Sequence, residues 1–173
     1  GEHNVTVKYS GDGKYSSASK DTKLSVHVPV YNIAENKDVS VIYSANAYYK
    51  VLVTKDGKAV GAGESVTIKY NGKTYTVKTD SKGYATLKLN TKVKVKTYTI
   101  TAEYKGVKVT NKVKVQHVIK ASNKKGKKSR KVNKIKITLK KVNGKVLKSK
   151  KITIKFKGKK YKVKTNKKGV ATW

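Results

Sequence analysis

His3, His27 and His117 carry the only side chains here that ordinarily titrate near neutrality. Any general base would come from them or from nine carboxylates. Acyl-transfer chemistry needs a nucleophile, an imidazole and a carboxylate converging in space. Ser and Thr are plentiful, but no Gly-x-Ser-x-Gly elbow occurs. His27 and His117 fall near the ends of two segments that read as equivalent closing strands, which makes them residues of the joints between units. The catalytic set is therefore empty, and the chain is expected not to be an enzyme. Among the acids, Asp12 and Asp21 share the loop "SGDGKYSSASKD". Calcium needs several oxygens and compensating negative charge, so on a chain of net charge +34 the loop reads instead as Asx-turn chemistry at Asp12-Gly13. No metal is expected. A phosphate-cradling Gly-rich loop before a helix is also absent, and no cofactor is expected.

Lysine is the residue type in excess. Of 43 basic residues only Arg130 is an arginine. Lysine is a hydrated point charge, suited to diffuse attraction rather than to the planar, bidentate readout that arginine performs. The charges recur at every second residue in Lys92-Lys94-Lys96, Lys112-Lys114, Lys155-Lys157-Lys159 and Lys160-Lys162-Lys164. In strands such charges project from one face about 6.6–6.8 Å apart. No Asp or Glu follows Glu103. Two readings remain open. One is a polyanion-binding face formed by Lys124, Lys125, Lys127, Lys128, Arg130 and Lys131 together with Lys155, Lys157, Lys160, Lys162 and Lys164. The other is a solvated sheet face whose lysines block edge-to-edge pairing. A nucleic-acid reader would add arginine and exposed stacking rings. Tyr75, Tyr98, Tyr104 and Tyr161 instead alternate in phase with the apolar residues and are expected in the core. Of the neighbours Tyr48 and Tyr49, one must face outward. Tyr98 is placed for a tyrosine-corner bond at a strand start.

An internal repeat sets the elements that carry these residues. Ser65 to Leu87 aligns without a gap with Lys151 to Trp173, a shift of 86 residues. "VLVTKDGKAV" matches "ITLKKVNGKV" if one residue is dropped, and Val5 to Val26 echoes Ile100 to Val115 more loosely. Apolar residues alternate with polar ones at period two, as in Val66, Ile68 and Tyr70. Asn71-Gly72 between two such runs is a strong hairpin signal, and Asp56-Gly57 and Ser81-Lys82-Gly83 mark further turns. Seven or eight short strands in about 88 residues, with turns every 8–12 residues, describe a β-sandwich. The expected architecture is all-β in three pieces. Residues 1–29 hold closing strands of one unit, 30–118 a complete unit, and 119–173 the first half of another, with Pro29 and the basic stretch 120–131 at the joints. The absence of Cys excludes a disulfide framework. The absence of Met leads us to expect that the natural start, and any signal peptide, lie outside the sequence. No run approaches the roughly 18 apolar residues of a membrane helix.

"DGKAVGAGESVTIKYNGKTYTVKTDSKGYATLKL", followed by "TYTITAEYKG" and "TNKVKV", resembles the repeats of adhesin-like surface proteins of methanogenic archaea. "VKYSGDGKYSSASKDTKLSV" resembles the closing strands of bacterial immunoglobulin-like repeats in the same proteins. The resemblance implies tandem immunoglobulin-like sandwiches and an extracellular, cell-surface or wall-associated stalk that supports adhesion. The expected partners are acidic wall polymer or glycan, from the lysine stripes, and neighbouring repeats of the same protein, from the resemblance. The alternatives are a filament subunit assembled by head-to-tail strand complementation and a non-specific nucleic-acid-binding protein. Val51 to Leu89 is also similar to collagen-adhesin B-type domains, some of which crosslink a Lys to an Asn beside a carboxylate. That similarity points to Lys50, Asn111 and Glu103 as an isopeptide set.

Overall fold

The computed structural model describes residues 1–121 and 134–173, and among them there is no helix. Strands β1 (Glu2–Tyr9) and β2 (Ala18–Ser25) form an exposed antiparallel hairpin. Nine strands follow: β3 (Tyr31–Ala34), β4 (Val39–Ile42), β5 (Tyr48–Lys55), β6 (Lys58–Ala59), β7 (Ser65–Tyr70), β8 (Lys73–Lys78), β9 (Tyr84–Lys88), β10 (Thr97–Tyr104) and β11 (Val107–Gln116). They make two sheets. One has the order β4-β11-β10-β7-β8; in the other, β5 pairs with β3, β6 and β9. β3 is antiparallel to β5, whereas β4 runs parallel to β11. The opening strand therefore changes sheet between them, past Glu35 at φ 50°. This is the strand order of an immunoglobulin-like sandwich. It holds one or two strands more than the turn spacing suggests, because the first strand splits and β6 has only two residues.

Period-two patterning explains the packing. Along β5, Tyr49, Val51 and Val53 face inward; along β7, Val66, Ile68 and Tyr70; along β10, Tyr98, Ile100, Ala102 and Tyr104. With Val113 and Val115 of β11 they form one continuous buried cluster. Each such side chain contributes about 1.5–3 kcal/mol when fully removed from water. Among the described residues five hairpin turns place an X-Gly pair at positive φ: Asp56-Gly57, Asn71-Gly72, Lys105-Gly106, Asn143-Gly144 and Lys157-Gly158. That backbone twist matches the twist of the flanking strands.

Beyond the sandwich lie β12 (Ile119–Ala121), β13 (Lys136–Leu139), β14 (Lys151–Phe156), β15 (Lys159–Lys164) and β16 (Val170–Thr172). β12, β13 and β16 form one sheet and β14–β15 a hairpin, closing over Ile137, Ile152 and Ala171. The repeat extends to single hydrogen bonds. Buried Thr79 donates to the Gly61 carbonyl (2.7 Å) and accepts from the Glu64 amide (3.0 Å). Buried Thr165 donates to the Leu147 carbonyl (2.6 Å) and accepts from the Lys150 amide (2.9 Å). Asp80 accepts from the Lys82 and Tyr84 amides, as Asn166 does from those of Lys168 and Val170.

Gly83, with its repeat partner Gly169, needs to be glycine for two reasons. At φ +79° a Cβ on Gly83 would lie 2.9 Å from the Val60 carbonyl oxygen and 3.1 Å from that of Val53. Gly72 shares the positive φ but faces open space. Gly72→Ala is thus expected to cost about 1–2 kcal/mol of left-handed strain. Gly83→Ala should add about 1–3 kcal/mol of overpacking. Urea unfolding midpoints of the two variants measure the difference.

Candidate functional site

Three kinds of polar group are positioned by this frame: joint residues, cross-sheet tyrosines and outer-face lysines. At the first joint the β5–β6 turn reaches back to the linker before β3. Asp56 Oδ1 accepts the Val30 amide (2.9 Å), the Asp56 amide donates to the Val30 carbonyl (2.8 Å), and His27 Nε2 lies 3.0 Å from Asp56 Oδ2. The Val30 amide, then His27, hold the Asp56 carboxyl below its ordinary range. The corresponding turn of the next unit reaches the sandwich before it: Asn143 Oδ1 accepts the Asn46 amide (2.6 Å). Lys140 adds bonds from its amide to the Val118 carbonyl (2.7 Å) and from Nζ to Gln116 Oε1 (2.8 Å). His27 is therefore a joint residue, as its position in the sequence suggests. Asp56 and Asn143 were not picked out from sequence beyond their turns, although both stand in the aligned repeat.

The tyrosines tie the two sheets together. Tyr49 is buried and Tyr48 exposed. Tyr49 OH crosses from β5 to donate to Asn111 Oδ1 on β11 (2.6 Å). Burial, then the charge of Asp38, push its pKa up to about 12. Tyr98 OH donates to the Lys94 carbonyl (2.7 Å), which is the expected corner bond, and its ring meets Tyr70 edge-on at 5.7 Å. Tyr104 OH donates to Glu64 (2.9 Å). Tyr161 departs from expectation. It is 36% exposed, since among the described residues its ring packs against Trp173 (5.1 Å) at the margin of a small cluster.

Strand parity separates the isopeptide candidates. Tyr49 takes the inward position, so its neighbour Lys50 points out of the β5 sheet, where Nζ sits 3.4 Å from the centroid of the Tyr84 ring. Glu103 faces outward from the opposite sheet, across from Lys108 and Thr67. Asn111 points into the core and is engaged by Tyr49. The structure does not bring the three together. Asp12 and Asp21 are likewise apart in role: Asp12 Oδ1 accepts the Lys14 and Tyr15 amides in an Asx turn, and Asp21 accepts Thr6 Oγ1. Among the described residues no three His, Asp or Glu side chains gather as metal ligands.

Of the proposed cationic set, Lys124, Lys125, Lys127, Lys128, Arg130 and Lys131 lie outside the described residues. Lys160, Lys162 and Lys164 share the outer face of β15, and Lys155 lies on the outer face of β14. Lys157 occupies the turn between them at φ 45° and is not on that face. Lys92, Lys94 and Lys96 form no strand stripe, because 90–96 is the crossover between the sheets, where Val93 and Val95 pack on the core. Sequence reasoning missed Lys151, which parity places beside Lys155 and register places opposite Lys164.

No family model matches the sequence, and no curated protein does. Among solved structures, a 1.5-MDa bacterial ice-binding adhesin is similar over 98% of this chain and 61% of its own, at 12% identity and TM-score 0.37. An S-layer protein, SbsC, is similar over 100% of this chain and 26% of its own, at 16% identity and TM-score 0.43. A chimeric titin Z1Z2 tandem is similar over 67% and 63%, at 14% identity and TM-score 0.35. The chain spans less than two thirds of each of these proteins. None reaches a TM-score of 0.5, so function has to be read from the chain's own residues.

Two outcomes are expected. Tyr49 has a folded-state pKa above the unfolded value near 10. The stability that depends on its neutral phenol is whole below about pH 10 and drains away as pH rises towards 12. Unfolding midpoints from pH 9 to 12 should fall more steeply for the parent than for Tyr49→Phe, which loses about 1 kcal/mol with its hydrogen bond below about pH 10 and has no phenol to titrate above it. The Asp56 contact follows the opposite sign. It is complete above the ordinary carboxylate pKa of about 4 and is lost as pH falls through the lowered folded value. Asp56→Ala should accelerate hydrogen exchange at the Val30 amide at pH 7 by at least about tenfold, with Val53 in the core unaffected.

Proposed function

We propose that this chain is a non-enzymatic segment of an extracellular, cell-surface protein of the adhesin-like kind found in methanogenic archaea. In this reading it is part of a stalk of stacked immunoglobulin-like units that holds acidic wall polymer or glycan through Lys-rich sheet faces. The observation that carries it is the joint. In two successive units the same hairpin turn is bonded at a joint, Asp56 to the linker residues His27 and Val30 and Asn143 to Asn46 of the sandwich before it. A device used twice in series is what a stalk needs to pass load from unit to unit. The polar side chains support a structural role. Thr79, Thr165, Tyr49 and Tyr98 are spent on hydrogen bonds within the fold, and among the described residues no buried side-chain N or O lacks a partner. Among the described residues, Lys155 of β14 and Lys160, Lys162 and Lys164 of β15 face solvent.

Sedimentation of the chain with purified archaeal cell wall, with DNA and heparin as charge controls, tests this reading. At about 0.5 M salt the Debye length falls to roughly 4 Å and diffuse lysine contacts are screened. Wall binding should persist while DNA and heparin release the protein. Loss of all three together would reduce the lysines to generic charge and overturn the wall-binding half of the proposal.

A further inference from the structure

The outer face of the β14–β15 hairpin carries Lys151, Thr153 and Lys155 on one strand and Lys160, Lys162 and Lys164 on the other. Register sets Lys155 directly opposite Lys160, and Lys151 directly opposite Lys164. Like charges directly opposite on one face destabilise a sheet. Nothing nearby in sequence relieves them, since no Asp or Glu occurs after Glu103.

The preceding unit shows that the hairpin does not require this charge. The equivalent face of β7–β8 holds Ser65, Thr67 and Lys69 against Lys78, Thr76 and Thr74. No two lysines oppose one another there, and Lys78 Nζ donates to Ser65 Oγ across the pair at 2.7 Å. The turn is built alike in both units, with Asn71-Gly72 and Lys157-Gly158 at positive φ. Three positions therefore differ in charge between two hairpins of one design: Lys151 for Ser65, Lys160 for Thr74 and Lys162 for Thr76. Edge protection explains lysines on an edge strand. Both strands of this two-stranded hairpin are edges, but edge protection does not call for lysines set directly opposite one another, as Lys151–Lys164 and Lys155–Lys160 are.

We infer that this face is the binding site for an extended acidic polysaccharide, an inference that rests on the cell-surface reading above. The five ammonium groups form two rows, with steps of about 6.6–6.8 Å between alternate residues and about 5 Å between strands. The face has no apolar or aromatic side chain to bury against a folded partner. A partner must instead bring a series of anions along a chain. The rings that would stack on nucleobases are turned to the other side: Phe156 and Tyr161 follow the inward parity of Ile154 and Val163, and both pack on Trp173 (5.4 and 5.1 Å). With rings and lysines on opposite faces, a single strand of nucleic acid cannot use both at once. A carboxylated or sulfated glycan needs only the charges.

The test moves the first unit's residues onto the second. In the full chain, Lys151→Ser, Lys160→Thr and Lys162→Thr together leave two lysines on the face. The control removes three exposed lysines from the first unit, as Lys58→Thr, Lys73→Thr and Lys88→Thr. Binding to polygalacturonate is measured by calorimetry between about 0.05 and 0.3 M salt, with single-stranded DNA as comparison. The hairpin variant should bind polygalacturonate at least about tenfold more weakly than the parent. Its salt dependence should be shallower by two to three units of the logarithmic slope, since each released counterion contributes nearly one. The control should change affinity less than about threefold. The unfolding midpoint of the hairpin variant should equal or exceed the parent's, because two opposed lysine pairs have gone. Equal weakening by the two variants would make the effect one of net charge and overturn the site. Parent binding to DNA that is tighter and equally sensitive to the hairpin changes would replace the glycan with nucleic acid. If the hairpin variant still sediments with cell wall as the parent does, the surface reading stands and this face is excluded from it.

Discussion

Residue parity along the strands is the constraint from which the rest of the molecule follows. A shift of one position would turn every inward side chain outward. With Val66, Ile68 and Tyr70 committed to the core, Thr67 and Lys69 have no choice of face. The inner rows decide whether the chain folds, and the outer rows are left free for anything that tolerates water. This division lets one scaffold appear twice in the chain with nearly the same interior design and very different exteriors. It also excludes chemistry that adjacency in sequence seems to permit. Lys50 stands beside the inward Tyr49 and for that reason can never meet Asn111 across the core.

What the two units keep, and what they change, divides along the same line. Thr79 and Thr165 close the same pair of bonds, and Asp80 and Asn166 hold the same turn. Gly83 and Gly169 sit at φ +79° and +73°. These residues share a burden: each satisfies or admits backbone groups that would otherwise be stranded or blocked at a strand crossing. A buried hydroxyl with two partners is costly to replace by an apolar group that leaves those partners unpaired. Substitution of Asp80 by Asn166 is harmless because only the acceptor oxygen is used. Outer positions bear no such burden, and it is there that Ser and Thr give way to Lys.

The same physics explains what could be read from the sequence. The all-β class, the Asn71-Gly72 turn, the Tyr98 corner and the outward turn of one of Tyr48 and Tyr49 are local or strictly periodic, so they were legible. Lys92-Lys94-Lys96 misled because alternation alone does not make a strand. That segment needs its backbone for a crossover, where Val93 and Val95 reach the core and the Lys94 carbonyl is taken by Tyr98. The opposed lysine pairs were out of reach for a different reason. Each strand advertises its own stripe, but Lys155 meets Lys160 only once the two-residue turn at Lys157-Gly158 has set the register. Asp56 was visible as a turn residue and Asn143 only through the aligned repeat; that they bond at the joints depends on where each turn comes to rest in three dimensions.

Stability and charge pull against each other in the second unit. Among the described residues its buried apolar side chains are Ile137, Ile152 and Ala171. Over them, two lysine pairs stand directly opposed across a two-stranded hairpin, at a cost to that hairpin. A bound polyanion reverses the sign of that arrangement, turning mutual repulsion into shared attraction. The hairpin would then be stabilised by the polymer it binds, through mass action. A stalk whose most charged unit is firmest when engaged would resist being pulled away, because unfolding that unit under load requires releasing the polymer first.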